Sequence, residues 1–140
     1  KTFGRETAAT TKGFVMEFIH APKACASVGP YSHCVKAGST YYLCGQVPFH
    51  PVTGEVVGNG MKEQAVQTLA NMKAVLEAAG LTVTDIAKTT VFVTNMDDFA
   101  AFNEVYAAFM GEHRPARVCV EVSNIAHGCL LEMDAICFKE

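Results

Sequence analysis

The sequence predicts an α+β fold in which two helices pack on one face of a mixed sheet, in the chain order β-β-β-α-β-α-β-β. Three observations predict it. Apolar residues recur at helical spacing twice, at Ala65, Leu69, Met72, Leu76 and Ala79, and again at Phe99, Phe102, Tyr106, Phe109 and Met110. Runs rich in β-branched and aromatic residues precede, separate and follow these two stripes. Turn signals lie between neighbouring runs at both ends of the chain, which places a hairpin at each end.

The elements follow in order. Lys1 to Lys12 is Thr- and Ala-rich without an apolar period and reads as a loose arm ahead of a single domain over residues 13–140. Gly13 to His20 is a strand-like run ended by Ala21-Pro22. Gly29-Pro30 launches Tyr31 to Lys36, and Ala37-Gly38-Ser39 turns that run into Thr40 to Val47, a hairpin. Turn-rich loops follow at residues 50–54 and 58–60. The first helix begins at Met61, and Gly80 sits where a helix C′ glycine is expected. Ile86 to Thr94 is the next strand. Asn95 is the expected N-cap of the second helix, with Asp97 and Asp98 in the first turn and Gly111 at the close. Ala116 to Ser123 and Cys129 to Phe138 are the last two strands, joined through Ala126-His127-Gly128.

Composition narrows the function. The chain has 140 residues, 50 % hydrophobic and 18 % charged, which is enough apolar material for one folded core and too much for a disordered segment. The formal net charge is −3, and no two Lys or Arg residues are adjacent, so the clustered cations that bind a phosphate backbone are missing and nucleic acid is not an expected partner. No stretch approaches the roughly 20 apolar residues of a membrane helix. Six cysteines without a CxxC pair read as buried free thiols in a reducing compartment, the cytoplasm by default with the mitochondrion as the alternative. Five histidines without HxH or HxxxH spacing make a metal site improbable.

Strand alternation separates candidate site residues. In Ala116 to Ser123, Val118, Val120 and Val122 are expected to face the helices, with Arg117, Cys119 and Glu121 on the other side. In the last strand Glu132 and Asp134 share a face with Leu130, Ile136 and Phe138. A face that mixes charge with large apolar side chains is one edge of an ordinary amphipathic sheet, or it packs against other subunits with Arg117 and Glu132 lining a crevice. Burying charge is costly unless the charges are paired or used, which favours a functional crevice where the face is covered.

Five segments then carry a resemblance: Gly29-Pro30-Tyr31-Ser32, Cys44-Gly45-Gln46-Val47-Pro48, Thr53-Gly54-Glu55, Lys88-Thr89-Thr90-Val91-Phe92, and Arg114-Pro115-Ala116-Arg117-Val118-Cys119-Val120-Glu121-Val122. In this order, over about Gly13 to Phe138, the chain resembles the reactive intermediate deaminase A family, also called the YjgF/YER057c/UK114 family. The resemblance implies a chorismate-mutase-like fold assembled as a homotrimer, with a central β-barrel, helices outside, and sites in the clefts between subunits. It implies hydrolysis of small-molecule 2-imino acids, such as 2-iminopropionate and 2-iminobutyrate, to 2-oxo acids and ammonia. These imines arise from enamines released by PLP-dependent enzymes, and their hydrolysis uses no cofactor.

The resemblance also implies residue roles. Arg117 matches the arginine that clamps the substrate carboxylate, for which a planar guanidinium is suited; the alternative is an arginine paired with Glu132 or Glu121. Glu132 matches the carboxylate that manages the attacking water, or else is a structural ion-pair partner. Tyr31 matches a pocket-wall tyrosine, or else is a core aromatic. Gly45, Gln46, Asn103 and Cys119 match substrate-binding positions, Cys119 through its backbone. No histidine partner makes Cys119 a nucleophile. The chain departs from the family pattern at His33, where Gln is usual, at Cys44 and Val118, where Ser is common, and at Asp134, where Glu is frequent. Competing readings are a translation inhibitor that cleaves RNA, and a non-catalytic trimer that acts as a chaperone or binds 2-oxo acids.

Overall fold

The computed structural model describes residues 6–11 and 14–140. Strands β1 (Glu6–Thr11), β2 (Phe14–Ile19), β3 (Cys34–Ala37) and β4 (Thr40–Gln46) lead into helix α1 (Met61–Ala78). Strand β5 (Ile86–Val93), helix α2 (Phe99–Met110), β6 (Ala116–Glu121) and β7 (Leu131–Phe138) complete the chain. One seven-stranded sheet results, in the order β1-β2-β3-β4-β7-β5-β6. β5 and β6 run parallel, with α2 as their crossover, and the other neighbouring strands are antiparallel. The mixed α+β architecture and the order of elements from β2 onward are those predicted.

Two expectations change. The arm read over residues 1–12 falls partly outside the described residues, but where it is described it is not loose: β1 pairs antiparallel with β2, Glu6 opposite Phe18. Without alternation, the segment carried no strand signal. What makes it a strand is the otherwise open backbone edge of β2, whose N–H and C=O groups it pairs. The strand expected from Tyr31 starts only at Cys34, leaving Tyr31, Ser32 and His33 ahead of the sheet.

Local signals explain the helices. Of the α1 stripe, Ala65, Leu69, Met72 and Leu76 are buried, with Val75 beside them. Gly80, at φ 74°, ends α1: its N–H donates to the Glu77 carbonyl at 3.0 Å and that of Leu81 to the Leu76 carbonyl at 2.8 Å. These two bonds satisfy carbonyls the helix leaves open, and the positive φ suits a residue without Cβ. Asn95 caps a short 3₁₀ turn that leads into α2, its side chain accepting from the Asp97 amide at 2.9 Å.

The core lies between the helices and one sheet face. Leu131, Met133, Ala135 and Cys137 of β7 and Val91 and Val93 of β5 meet Leu69, Met72 and Leu76 of α1 and Phe102, Tyr106 and Met110 of α2. Each large apolar side chain so buried contributes about 1.5–3 kcal/mol relative to exposure. The other sheet face is open: Tyr42 is 50 %, Val118 44 %, Val120 41 % and Phe138 54 % exposed.

That distribution overturns the expected orientation of β6. Thr89 is opposite Arg117 and Val91 opposite Cys119, and cross-strand partners share a face. Thr89 and Val91 are buried on the helix side, so Arg117 and Cys119 face α2, and Val118 and Val120 face outward. Alternation alone sends the valines to the core as readily as the arginine. The core instead accepts Arg117, because three aromatic rings of α2 cover its guanidinium.

Candidate active site

The predicted site residues form two groups on opposite sides of the sheet. Glu132 is opposite Phe92 on β5, one step out of phase with the buried Val91 and Val93, so it stands on the open face. It lines a cavity of about 180 Å³ with Tyr31, Cys44, Gly45, Gln46, Cys25 and Phe49 among its walls. Gly45 leaves room for that carboxyl group: a Cβ at that position would lie 2.8 Å from Glu132 Oε2 and 2.9 Å from its carboxyl carbon. Gln46 is buried behind it, and its Nε2 donates to Cys44 Sγ at 3.1 Å. Tyr31 stands half-exposed at the rim, its hydroxyl accepting from the Val28 amide at 3.4 Å.

The electrostatics of this cavity disfavour charge. Burial pushes the Glu132 carboxyl above the ordinary carboxylate range, and the nearby charge of Asp134 adds to the rise. Burial also pushes the Cys44 thiol up to about 11, opposed by the Gln46 hydrogen bond and assisted by Glu132. Cys44 is therefore a neutral thiol at physiological pH and a poor nucleophile. A carboxyl group with a raised pKa is a proton carrier suited to acid–base work.

The second group surrounds Arg117. Its Nη1 donates to Asn103 Oδ1 at 2.8 Å, and its guanidinium lies 4.8 Å from the Tyr106 ring centre, 5.4 Å from that of Phe99 and 5.9 Å from that of Phe102. Tyr106 is itself held by a 2.9 Å hydrogen bond between its hydroxyl and Thr89 Oγ1. Among the described residues no carboxylate pairs with Arg117. Glu121, the alternative partner, accepts instead from the Met96 amide at 2.9 Å. A cavity of about 450 Å³ opens beside Arg117, lined also by Asn103, Tyr106, Arg114 and Pro115. Cys119 lies on this side as well, its thiol pushed up by burial and partly drawn back by Arg117.

Tyr31, Gly45, Gln46 and Glu132 thus come together, and so do Arg117, Asn103 and Cys119, but one chain does not join the two groups. No group of three or more His, Cys, Asp or Glu side chains among the described residues could hold a metal ion. None of the six cysteines forms a disulfide among the described residues. No helix among the described residues is long and apolar enough to cross a membrane.

Two positions carried only a weak sequence signal. Asn71, buried on α1, donates through Nδ2 to the carbonyls of Val47 and Phe49, both at 2.9 Å, and so fixes the segment after Gln46 that walls the Glu132 cavity. Gln64 spans in a similar way from the Gly58 carbonyl to the Leu130 amide, just ahead of β7. A polar residue inside an apolar helix stripe was the one available clue to both.

The fold and these groups define a class: a small α+β protein with two helices on a mixed sheet, a carboxylate cavity on the open face and a guanidinium cradle under α2. The family profile described as endoribonuclease L-PSP matches residues 20–139, and the chain belongs to that family, the reactive intermediate deaminase A or YjgF/YER057c/UK114 family. A RutC family protein of Pyrococcus horikoshii is 48 % identical over 124 residues, covering 89 % of this chain and 98 % of its own. A 2-iminobutanoate/2-iminopropanoate deaminase of Escherichia coli K12 is 45 % identical over 124 residues, 86 % of this chain and 96 % of its own. Among solved structures, Escherichia coli TdcF with bound serine superposes with a TM-score of 0.83 at 41 % identity, covering 88 % of this chain and 98 % of that one. The YjgF gene product of Escherichia coli gives 0.82 at 44 % identity over 88 % and 98 %.

Proposed function

We propose that the chain is an imine deaminase of the 2-iminobutanoate/2-iminopropanoate type, acting as a homotrimer in which the open sheet faces meet and each cleft joins the Glu132 cavity of one copy to the Arg117 cradle of another. One observation carries this reading: the two groups of site residues are each well formed but lie on opposite sides of one sheet, and that sheet's open face exposes Tyr42, Val118, Val120 and Phe138. Apolar surface of this kind is stabilised by burial against another copy. The deaminase name of the Escherichia coli relative supports the reaction, and the serine bound to TdcF supports a small ligand bearing a carboxylate and a nitrogen.

The chemistry follows from the residues. Arg117, oriented by Asn103, binds the substrate carboxylate through parallel N–H···O bonds. Tyr31 closes the pocket wall. Glu132 takes a proton from water as the water oxygen bonds to the C=N carbon. It returns that proton to nitrogen, giving the carbinolamine, and then carries the hydroxyl proton to nitrogen as well, so that the C–N bond breaks, the carbonyl forms and ammonia leaves. The raised carboxyl pKa suits both halves of that transfer. Six cysteines with no disulfide among the described residues suit work in a reducing compartment, the cytoplasm.

The test is disappearance of freshly generated 2-iminopropionate, read as reduced trapping by semicarbazide, with wild type beside Arg117→Ala. Acceleration by wild type and its loss in the variant is the expected result. Equal rates in both would reject the carboxylate clamp, and no acceleration by wild type would reject the deaminase. The family's endoribonuclease description favours RNA cleavage as a second reading. It requires RNA to be bound and cut by a chain of net charge −3, and retention of RNA lost with rising salt would support it.

A further inference from the structure

His33 stands at the base of the loop that walls the Glu132 cavity, buried and 6 % exposed. Both ring nitrogens are engaged. The Ala21 amide lies 2.8 Å from Nδ1, and Nε2 lies 2.8 Å from the Cys25 carbonyl oxygen. A backbone amide only donates and a carbonyl only accepts. Nδ1 therefore presents its lone pair, Nε2 carries the hydrogen, and the ring is neutral. The backbone of His33 is tied as well, its carbonyl accepting from the Cys44 amide at 2.9 Å. One residue so joins β4, beside Gly45, to two points on the loop.

The loop is seated at its start by Ala21 and Ala24, both buried in the core. It supplies Cys25, Ala26, Val28 and Tyr31 to the Glu132 cavity. On its other side lies a second cavity of about 300 Å³, lined by His20, Pro22, Ala24, Ser27 and Pro51, with His33 itself reaching into both. Ser27 Oγ, buried there, has no hydrogen-bond partner among the described residues. The ring of His33, with its two hydrogen bonds, thus borders both cavities.

We propose that His33 is a positioning residue for the Glu132 cavity: in its neutral Nε2–H form it holds the Cys25–Tyr31 wall in place, and protonation releases that wall. A proton on Nδ1 turns its acceptor into a donor facing the Ala21 N–H, so one hydrogen bond is lost and two donors confront each other. The titratable groups around the ring are His20, edge-on with ring centres 6.0 Å apart, Cys25 and Tyr31 from the loop, Cys44 from β4 and Glu132 from β7, the last being the carboxylate among them. The effect on turnover rests on the deaminase reading; the effect on the loop does not.

Backbone hydrogen exchange of residues 20–31, corrected for intrinsic rates and followed from about pH 8 to pH 5, tests this in wild type, His33→Gln and His33→Ala. A glutamine amide offers one acceptor and a donor in place of the ring and does not titrate. Protection of the loop in wild type is expected to fall about tenfold on acidification, to stay level in His33→Gln, and to be low throughout in His33→Ala. Level protection in wild type, or the same acid loss in His33→Gln, overturns the proposal. Should His33→Ala not fold, the wild type and glutamine pair still decides. In parallel, KM for 2-iminopropionate is expected to rise in acid for wild type but not for His33→Gln, with kcat changing less. Loop release without turnover by either protein keeps the positioning role and rejects the deaminase, whereas turnover with the same acid response of KM in both rejects the positioning role.

Discussion

Arg117 and Glu132 stand on opposite faces of one sheet, although their strands flank the same neighbour. On β5, Thr89 is the partner of Arg117 and Phe92 the partner of Glu132. Three residues apart on a strand means opposite sides. Within one chain, a guanidinium and a carboxyl group so placed do not face the same substrate, and this geometry supports the proposed cleft between copies.

Assembly should accordingly be inseparable from activity. Sedimentation of the wild type is expected near 45 kDa, three times 15.0 kDa. Val120→Lys places a charge on the open face at the sheet edge, on β6, and is expected to give a folded monomer with little imine hydrolysis. A fully active monomer would reject the shared cleft.

Gly45→Ala tests the contact with Glu132. The new methyl would sit 2.8 Å from Oε2, so the carboxyl group must move. Displacement of a reacting group by about 1 Å costs on the order of 10²-fold in rate. The expected outcome is a large fall in kcat with circular dichroism unchanged; retention of wild-type kcat would mean that the position of Glu132 is not critical.

Glu132→Gln should separate stability from catalysis. Burial raises the folded-state pKa of Glu132 above its unfolded value. The neutral form is thus favoured by folding; that contribution is complete below the unfolded value, about 4.3, and is lost as pH rises through the folded one. The variant, which never ionises, is expected to melt higher than wild type near neutral pH, with the difference closing toward pH 4. Its kcat is expected to fall by about 10²- to 10⁴-fold. Thermal melts across pH and steady-state rates check the two halves.

Asn103→Ala removes the acceptor that orients Arg117, a bond of 2.8 Å. Hydrogen bonds to charged groups contribute about 1.5–3 kcal/mol, and tenfold in affinity corresponds to about 1.4 kcal/mol. KM for the imino acid is expected to rise roughly tenfold or more, with a smaller change in kcat. An unchanged KM would show that the aromatic rings alone place the guanidinium.

Much of this protein is written in the order of its residues. The 3.6-residue periods of α1 and α2, the glycine that ends α1, the asparagine ahead of α2 and the turns between strands are local, so the element order from β2 onward was legible without coordinates. The candidate residues were legible too, as motif positions. Their grouping was not. Alternation in β6 divides Arg117 and Cys119 from Val118 and Val120 but does not say which set meets the helices, because an arginine under aromatic rings and valines on an open face fit the pattern equally well. Only the register with β5 and the placement of Phe99, Phe102 and Tyr106 decide it. Strand β1 formed against a free edge rather than from its own composition. His33 shows the same division: its position is in the sequence, but its donor and acceptor roles come from Ala21 and Cys25, brought to its two nitrogens by the folded loop. Periods and caps act over a few residues, whereas faces, registers and hydrogen-bond partners are set by what the rest of the chain places opposite.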